Sequence, residues 1–312
     1  MRAVGVIEFG GPEALQVVDV PERHAGPGEV RVRVHAATVN PTDTYVRNGD
    51  RAEWQRKDPP PYVPGMDAAG VVDEIGEDVE TDLRVGDAVM AIVLPDGSHG
   101  GYSESLVLPA GSVARAPAGA SHAEASTLPM NGLTARLALD LLDLQPGQTI
   151  AVTGAAGSFG GYVVQLAKAD GLRVIADASE ADEQLVRDLG ADVVVRRGED
   201  VADRILAESP GGVDGLADGS VQNELVIRAV RDGGGFATVR GYKGRDERGI
   251  TFHQVWVRDY LEDQDKLDRL RQQVEDGQIA LRVARTFPAE QAGEAHRLLE
   301  AGGIRGRLVI EF

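Results

Sequence analysis

The sequence predicts an α/β protein with two domains, an irregular β domain followed by a doubly wound parallel-sheet domain. Two patterns along the 312 residues support this prediction. Up to residue 120, short apolar segments alternate with turns, whereas from residue 121 helical patterns alternate with short apolar strands. A run of small residues, GAAGSFGG at 154–161, separates the first of these strands from its helix and marks the start of the parallel sheet.

Residues 1–120 have the features of a mostly antiparallel sheet with one exposed face. In the segment 30–35, Val30, Val32 and Val34 alternate with polar residues, which is the period of a half-buried strand. Further apolar segments follow at 68–76 and 85–93, where glycines mark bends. We therefore expect an irregular β domain over 1–120.

Residues 121–250 alternate strand and helix patterns, which is typical of a parallel sheet covered by helices on both faces. The predicted strands are TIAVTG (149–154), RVIAD (173–177), ADVVV (191–195), VDGLAD (213–218) and GFATV (235–239). This pattern predicts a Rossmann-type domain over 121–250. Residues 251–312 contain two further helical patterns and a final strand, and we expect them to return to the first domain.

The composition excludes several classes of protein. Fifty acidic residues against 32 basic ones give a net charge of −18, which argues against a nucleic-acid or anionic-membrane partner. There is no cysteine, so disulfides, thiolate zinc sites and cysteine nucleophiles are excluded. No basic stretch precedes an apolar run at the N-terminus, and no segment reaches the roughly 18 apolar residues of a membrane helix. We expect a cytoplasmic protein.

The glycine-rich segment has the spacing of a dinucleotide-binding turn. Ala155, Gly157 and Gly160 occupy the three small-residue positions between strand and helix, with alanine replacing the first glycine. Gly157 would let the backbone approach a pyrophosphate, and Gly160 would allow close contact between helix and strand. A turn with only a structural role is the alternative, but its place in the first strand–helix unit favours a coenzyme site.

The residues after the second strand give conflicting indications about the coenzyme. Asp177 stands near the position where an acidic residue binds a ribose 2′-hydroxyl, which favours NAD(H). Ser179 and the basic pair Arg196-Arg197 suit a 2′-phosphate instead, although the arginines are also typical of a solvated strand end.

The segment VNPTDTYVRNG (39–49) resembles the NPxDxYxRxG stretch of zinc-independent quinone oxidoreductases, the zeta-crystallin-like branch of the medium-chain dehydrogenases/reductases. Other segments match the family in the same order, and together they cover essentially the whole chain: PYVPGMDAAGVVDEIG (61–76), LPMNGLTARLAL (128–139), PGQTIAVTGAAGSFGG (146–161), LGADVVV (189–195) and EAHRLLEAGGIRGRLVIEF (294–312).

This resemblance implies a GroES-like first domain, a Rossmann coenzyme domain and an active-site cleft between them. It also implies reduction of a quinone or an α,β-unsaturated carbonyl by NAD(P)H, in a homodimer. Zinc-dependent relatives carry a cysteine near the segment 40–43 and Gly-His-Glu where Gly65, Met66 and Asp67 stand here. The resemblance therefore implies hydride transfer without zinc.

Carried over by position, Asn40 and Tyr45 are the implied catalytic residues beside the nicotinamide. Either would hydrogen-bond the substrate carbonyl, and Tyr45 is also a candidate to relay a proton. For Tyr45, packing at the domain interface is the alternative. Besides these two, the predicted coenzyme-binding residues are Thr134, Ala155, Ala156, Gly157, Ser158, Phe159, Gly160, Asp177, Ser179, Arg197, Val239, Arg240, Gly241 and Arg307.

Two departures from the family bear on the coenzyme. Ser158 replaces a glycine of the usual turn, and Asp182 stands near the place of a basic residue common in NADPH-specific members. We predict NADP(H), with NAD(H) as the alternative, and no metal.

The predicted function is an NADPH-dependent, quinone reductase-like oxidoreductase. Three alternatives stay open: an enoyl or 2-alkenal reductase of the same family, a non-catalytic NAD(P)H-binding sensor or structural protein, and a metal-independent NAD(H) alcohol dehydrogenase. The segment FHQVWV (252–257) either borders the coenzyme or forms a strand of the dimer.

Overall fold

Two units make up the computed structural model, which describes residues 1–55 and 58–312. Unit 1 comprises residues 1–130, 260–275 and 281–312, and unit 2 comprises residues 131–259 and 276–280. Unit 2 thus begins later than the predicted residue 121, because the helix at His122–Ala125 packs on strands of unit 1.

The chain alternates strands and helices in the following order. The strands are β1 (Arg2–Gly5), β2 (Gln16–Asp19), β3 (Glu29–Thr38), β4 (Asp67–Ile75), β5 (Ala88–Ile92), β6 (Ser105–Pro109), β7 (Val113–Arg115), β8 (Thr149–Thr153), β9 (Arg173–Ala178), β10 (Val193–Arg196), β11 (Val213–Asp218), β12 (Val230–Thr238), β13 (Thr251–Gln254), β14 (Val283–Pro288) and β15 (Arg307–Glu311). The helices are α1 (Asp43–Asn48), α2 (Ala52–Gln55), α3 (His122–Ala125), α4 (Pro129–Leu142), α5 (Ser158–Ala169), α6 (Glu183–Asp188), α7 (Val201–Glu208), α8 (Glu224–Ile227), α9 (Gln264–Glu275) and α10 (Ala292–Ala301). No helix in the described part of the chain is long and apolar enough to cross a membrane.

Unit 1 is built on a mostly antiparallel sheet, as predicted. Its strand order is β14-β15-β3-β4-β5-β7, with β6 also paired to β3, and only the β14–β15 pair is parallel among these described strands. Val30, Val32 and Val34 on β3 are buried, and polar residues alternate with them. The period-2 pattern therefore reflects a strand with one face in the core.

The C-terminal residues 281–312 are part of unit 1. Strand β15 pairs antiparallel with β3, with Ile310 opposite Ala37. Phe287, Leu308 and Ile310 join a buried cluster with residues from β1 and β3. This pairing brings residues from the end of the chain next to the loop that follows β3.

Unit 2 contains a six-stranded parallel sheet over its described residues, in the order β10-β9-β8-β11-β12-β13. The five predicted strands are confirmed, and β13 adds a sixth at the edge. The chain runs outward from β8 through β9 to β10 and then returns to β11, so the order reverses between β8 and β11. In such sheets ligands bind at the carboxyl ends of the strands where the order reverses, which is the Rossmann arrangement.

Candidate functional site

The glycine-rich turn follows β8 at the reversal point of unit 2. Gly154 has a φ of +66°, and the amide of Gly157 donates to the Gly154 carbonyl at 2.9 Å. A Cβ at Gly160 would collide with the Gly154 carbonyl oxygen, so only glycine allows this contact between helix and strand. These contacts fit the turn that the spacing of small residues at 154–160 predicts.

The surface of this turn has room for a ligand. Beyond the Gly154 oxygen at 3.1 Å, a Cβ at Gly157 would meet no described atom within 4 Å. Helix α5 begins at Ser158, and its N-cap residue is Gly157, which has no side chain to cap the helix or to fill the space beside it. Backbone N–H groups at a helix start attract phosphate oxygens, so the turn fits a pyrophosphate.

Asp177 is attached to this turn. It lies near the end of β9, is 4% exposed, and accepts hydrogen bonds at Oδ1 from the amides of Gly154 at 2.7 Å and Ala155 at 3.3 Å. Burial raises the pKa of its carboxyl, and the two amide bonds oppose that shift. The predicted contact with a ribose stays a prediction, and the structure adds a second role in holding the turn against β9.

The other predicted adenosine-side residues lie at the same edge of the sheet. Ser179 follows β9, and its hydroxyl donates to the Asp182 carboxylate. The amide of Arg197, just after β10, donates to the Ala178 carbonyl at 2.8 Å. Arg196 pairs with the exposed Glu180 at 3.3 Å. The edge therefore carries carboxylates as well as the predicted serine and arginines.

The remaining predicted residues of unit 2 lie on two elements. Thr134 is nearly buried on α4. Val239, Arg240 and Gly241 directly follow β12, and Gly241 has a φ of +73°. The carboxyl end of β12 is at the same edge as those of β8 and β11, since these strands are parallel.

Sequence reasoning missed a polar cluster at the ends of β8, β11 and β12. Asp218 is fully buried and accepts from the Thr153 hydroxyl at 2.6 Å and from the Asn223 amide at 2.8 Å. Thr238 Oγ1 and Asn223 Oδ1 are buried without a hydrogen-bond partner among the described residues. An aspartate ending the apolar segment VDGLAD was the signal that could have found this cluster.

In unit 1, Asn40 and Arg307 lie together in a buried group. The Arg307 guanidinium donates to Asn40 Oδ1 and to Asp67 Oδ2, and Asn40 Nδ2 donates to Asp67 at 2.8 Å and to the Thr38 carbonyl at 3.2 Å. Both amide hydrogens and the amide oxygen of Asn40 are thus used inside the protein, and Asn40 is 0% exposed. The geometry makes Asn40 part of a scaffold, and its predicted contact with substrate stays a prediction.

Tyr45 lies on α1 and is only partly buried. The guanidinium of Arg51 sits over its ring, 5.1 Å from the centroid. This cation–π contact orients the ring and places a positive charge beside it. Of the two predicted catalytic residues, Tyr45 has the more accessible side chain.

Asp43 and Asp67 are carboxylates with no solvent contact. Asp43 accepts from the amides of Asn40 and Gly65 and from the Tyr102 hydroxyl, at 2.8, 3.2 and 2.8 Å. Burial raises the pKa of Asp43 to about 7 and also raises that of Asp67, while hydrogen bonds and the charge of Arg307 act against both shifts.

A parallel sheet with a glycine-rich turn at its reversal point, together with a largely antiparallel unit that holds buried polar residues, is the arrangement expected of a nucleotide-binding oxidoreductase. Family models agree: residues 26–118 match the alcohol dehydrogenase GroES-like domain, and residues 189–310 match the zinc-binding dehydrogenase family. The quinone oxidoreductase of Mus musculus is 30% identical over 336 residues, covering 99% of this chain and 97% of that protein.

Solved structures extend this likeness over the full chain. An NAD-dependent alcohol dehydrogenase superposes with a TM-score of 0.88 at 32% identity and covers 100% of both chains. A mycobacterial protein solved in complex with NADPH has a TM-score of 0.85 at 27% identity, also over 100% of both chains. The chain belongs to the quinone oxidoreductase (zeta-crystallin-like) branch of the medium-chain dehydrogenases/reductases and is an oxidoreductase.

The name of one matching family implies zinc, and the residues of unit 1 do not fit it. Asn40 lies in the segment where zinc-dependent relatives carry a cysteine, Met66 stands in place of the histidine of their Gly-His-Glu, and Asp67 is already paired with a buried guanidinium. Catalytic zinc takes histidine, cysteine and carboxylate ligands around an open position. Over the described residues, no group of three histidine, aspartate or glutamate side chains is arranged to hold a metal. We therefore derive no chemistry through zinc.

His296 gives the folding stability of the protein a testable pH dependence. Burial, and then the charge of Arg47, lower the pKa of His296 from 6.5 to about 3. The unfolded chain therefore binds a proton that the folded chain does not, and this stabilisation is present above pH 6.5 and is lost as the pH falls towards 3. We expect the difference in unfolding free energy between the wild type and His296→Gln to grow with pH by about 1.4 kcal/mol per unit near pH 5, to grow about half as fast at pH 6.5, and to level off above it.

Urea unfolding at half-unit steps between pH 5 and 7 measures this slope, with His24→Gln as the control that removes an exposed imidazole. A difference that does not change with pH would contradict a buried neutral His296.

Proposed function

We propose that this protein reduces a quinone or an α,β-unsaturated carbonyl with a nicotinamide coenzyme and without zinc. The observation that carries the proposal is the turn at 154–160, where glycine is required at 160 and open space lies outside Gly157. The quinone oxidoreductase relatives support the substrate class. The poor fit of Asn40, Met66 and Asp67 to zinc supports a reaction that does not need a metal.

In this proposal the turn binds the pyrophosphate of the coenzyme through backbone N–H groups at the start of α5. Phe159, whose ring lies 3.0 Å from where a Gly219 Cβ would be, packs against the loop after β11 and holds it beside the turn. At the same edge, Thr238 Oγ1 is the polar atom without a hydrogen-bond partner among the described residues, whereas Thr153 and Asp218 are bonded to each other and hold the ends of β8 and β11 together. When bound, the nicotinamide would supply the hydride.

Tyr45 is the residue proposed to contact the substrate oxygen. Its phenol donates a hydrogen bond to the carbonyl, which stabilises the negative charge that develops on that oxygen during reduction. Arg51 over the ring adds positive charge close to the phenol. Asn40, held by Arg307, keeps the loop before α1 in place.

The coenzyme proposed from the geometry is NADH, the alternative to the NADP(H) predicted from the sequence. Three carboxylates, those of Asp177, Glu180 and Asp182, lie in the segment at the end of β9 where a 2′-phosphate is predicted to bind, and their negative charge disfavours it. The Ser179 hydroxyl, predicted to bind that phosphate, instead donates to Asp182. Of the predicted basic pair, Arg196 is engaged by Glu180, whereas Arg197 still favours NADPH.

A homodimer is part of the proposal, as the family resemblance implies. Strand β13 forms the edge of the sheet of unit 2, and Trp256 just beyond it is 43% exposed. An unpaired strand edge can extend a sheet across two copies of a chain. Sedimentation velocity measures the mass, and a strictly monomeric protein would rule the dimer out.

A cytoplasmic location remains the expectation from the sequence.

The central experiment is stopped-flow oxidation of NADH and NADPH against a panel of quinones, 2-alkenals, enoyl thioesters and simple ketones. Turnover of quinones or enones supports the proposal. Preference for enoyl thioesters selects the enoyl reductase alternative, and turnover of ketones selects an alcohol dehydrogenase. Binding of coenzyme without any turnover would favour a sensor.

Removing the Tyr45 hydroxyl tests its role. We expect Tyr45→Phe to lower kcat/KM for the accepted quinone or enone by about 10- to 100-fold, because the donor to the developing anion is lost. The Kd for coenzyme should stay unchanged. The control is Tyr62→Phe, which removes a hydroxyl that donates to the Asp58 carbonyl in the same unit. Full activity of Tyr45→Phe would remove Tyr45 from the mechanism.

Neutralising Asp182 tests the proposed coenzyme preference. We expect Asp182→Asn to shift the ratio of kcat/KM values towards NADPH by about tenfold, since one charge near the phosphate is worth about 1.4 kcal/mol. Asp188→Asn, which removes a carboxylate at the exposed end of α6, is the charge-matched control. A wild type that prefers NADPH, or an unchanged ratio in Asp182→Asn, would refute this assignment.

A further inference from the structure

A buried hydrogen-bond chain runs through unit 1 that the proposed hydride transfer does not use. It leaves α1 at Arg47, passes through His296 on α10 and Tyr102, and returns to α1 at Asp43. All four residues are at most 3% exposed. The chain thus connects both ends of the helix that carries Tyr45.

Every hydrogen bond in this chain points towards Asp43. The Arg47 guanidinium has only donors, so the 3.2 Å contact between its Nη1 and His296 makes Nδ1 the acceptor. His296 then carries its hydrogen on Nε2 and donates to the Tyr102 oxygen at 3.1 Å. The Tyr102 hydrogen is left for Asp43 Oδ2 at 2.8 Å. The order of donors fixes both the tautomer of His296 and the rotation of the Tyr102 hydroxyl.

The two ends of α1 are held by further contacts. Arg47 also donates to the Gly10 carbonyl at 3.2 Å and to Glu300 at 2.5 Å. Asp43 and Arg47 are four residues apart, so they share the buried face of α1, while Tyr45 between them is partly exposed. A six-residue helix has little stability of its own, so its orientation depends on these contacts.

The surrounding backbone leaves space for the chain. Gly65 has a φ of +108°, and a Cβ there would lie 2.6 Å from the Tyr102 ring. The rings of Tyr102 and His296 meet edge-to-face at a centroid distance of 5.9 Å. Both aromatic residues are therefore packed in a single arrangement.

We propose that Tyr102 and His296 are positioning residues which, by anchoring both ends of α1 through Asp43 and Arg47, set the place at which the Tyr45 phenol meets the substrate oxygen. The proposal rests on the proposed role of Tyr45. It gives the C-terminal helix α10, which carries His296, a direct part in the geometry of the substrate site.

The donor-to-acceptor order of these buried hydrogen bonds can be measured without any substrate. In ¹⁵N-histidine-labelled wild-type protein, NMR should show His296 neutral at pH 7, with its hydrogen on Nε2 and none on Nδ1. A ring protonated on Nδ1, or on both nitrogens, would overturn the directed chain.

Coupling to Tyr45 is measured by a double-mutant cycle with Tyr102→Phe and Tyr45→Phe. We expect Tyr102→Phe to lower kcat/KM for the accepted quinone or enone about tenfold in the wild-type background, because misplacement of a reacting group by about 1 Å is costly. In the Tyr45→Phe background it should lower kcat/KM less than twofold. The control is Ser103→Ala, which removes the neighbouring buried hydroxyl that donates to the Gly100 carbonyl.

Equal effects of Tyr102→Phe in both backgrounds would show a general structural role and overturn the proposal. Circular dichroism and thermal unfolding confirm that each variant is folded before the rates are compared. If the wild type turns over no quinone or enone, the proposed function fails, and ¹⁹F NMR of 3-fluorotyrosine at position 45 replaces the kinetics. The signal should then shift or broaden in Tyr102→Phe and not in Ser103→Ala, and an unchanged signal would overturn the proposal on its own.

Discussion

Two carboxylates without solvent contact, Asp43 and Asp67, determine how the functional part of unit 1 is built. Burying a carboxylate is costly unless hydrogen-bond donors satisfy it, and a charged one also needs an opposite charge nearby. Asp67 takes hydrogen bonds from the Met130 amide, Asn40 and Arg307, whereas Asp43 takes two backbone amides and the Tyr102 hydroxyl. These requirements connect the loop after β3, the start of β4 and the last strand of the chain.

The positive charge in this group is a guanidinium, located beside the residues that stand where relatives have metal ligands. Arg307 binds Asn40 and Asp67 together, so the loop that leads to α1 is attached to β15. Arg47 and His296 attach the far end of α1 to α10. Tyr45 is thereby presented from a short helix whose neighbours on both sides are fixed by buried polar contacts.

Local patterns in the sequence were sufficient to predict unit 2 and the turn after β8. Alternation of strand and helix identified five of its strands, and the spacing of Gly157 and Gly160 identified the turn, because both depend on residues close in sequence. Strand β13 was not assigned to this sheet, since four residues, TFHQ, carry too little periodicity. The hydrogen bonds of Asp177 to the turn depend on the pairing of β8 with β9, which local pattern does not describe.

The buried group of unit 1 could not be predicted in the same way. His296 is 249 residues from Arg47, and Arg307 is 267 residues from Asn40, so these contacts exist only once the C-terminal segment has folded back. The contact of Asn40 with substrate was predicted from its position in the family motif. The motif does not show that Arg307 and Asp67 hold its amide group. A signal that could have found this group is the aspartate inside the apolar segment GMDAAGVV, because a carboxylate buried among apolar residues needs a partner.

The most direct test of the role of these buried charges is the unfolding free energy, measured by urea at pH 7.5, of Arg307→Met and of Asp67→Asn/Arg307→Met. Removing Arg307 alone leaves Asp67 buried without its counter-charge, and we expect a loss of about 3–5 kcal/mol. The double variant removes both charges and should recover at least half of that loss. Equal losses in the two variants, or a loss below about 1 kcal/mol for Arg307→Met, would contradict the view that these buried carboxylates organise the unit.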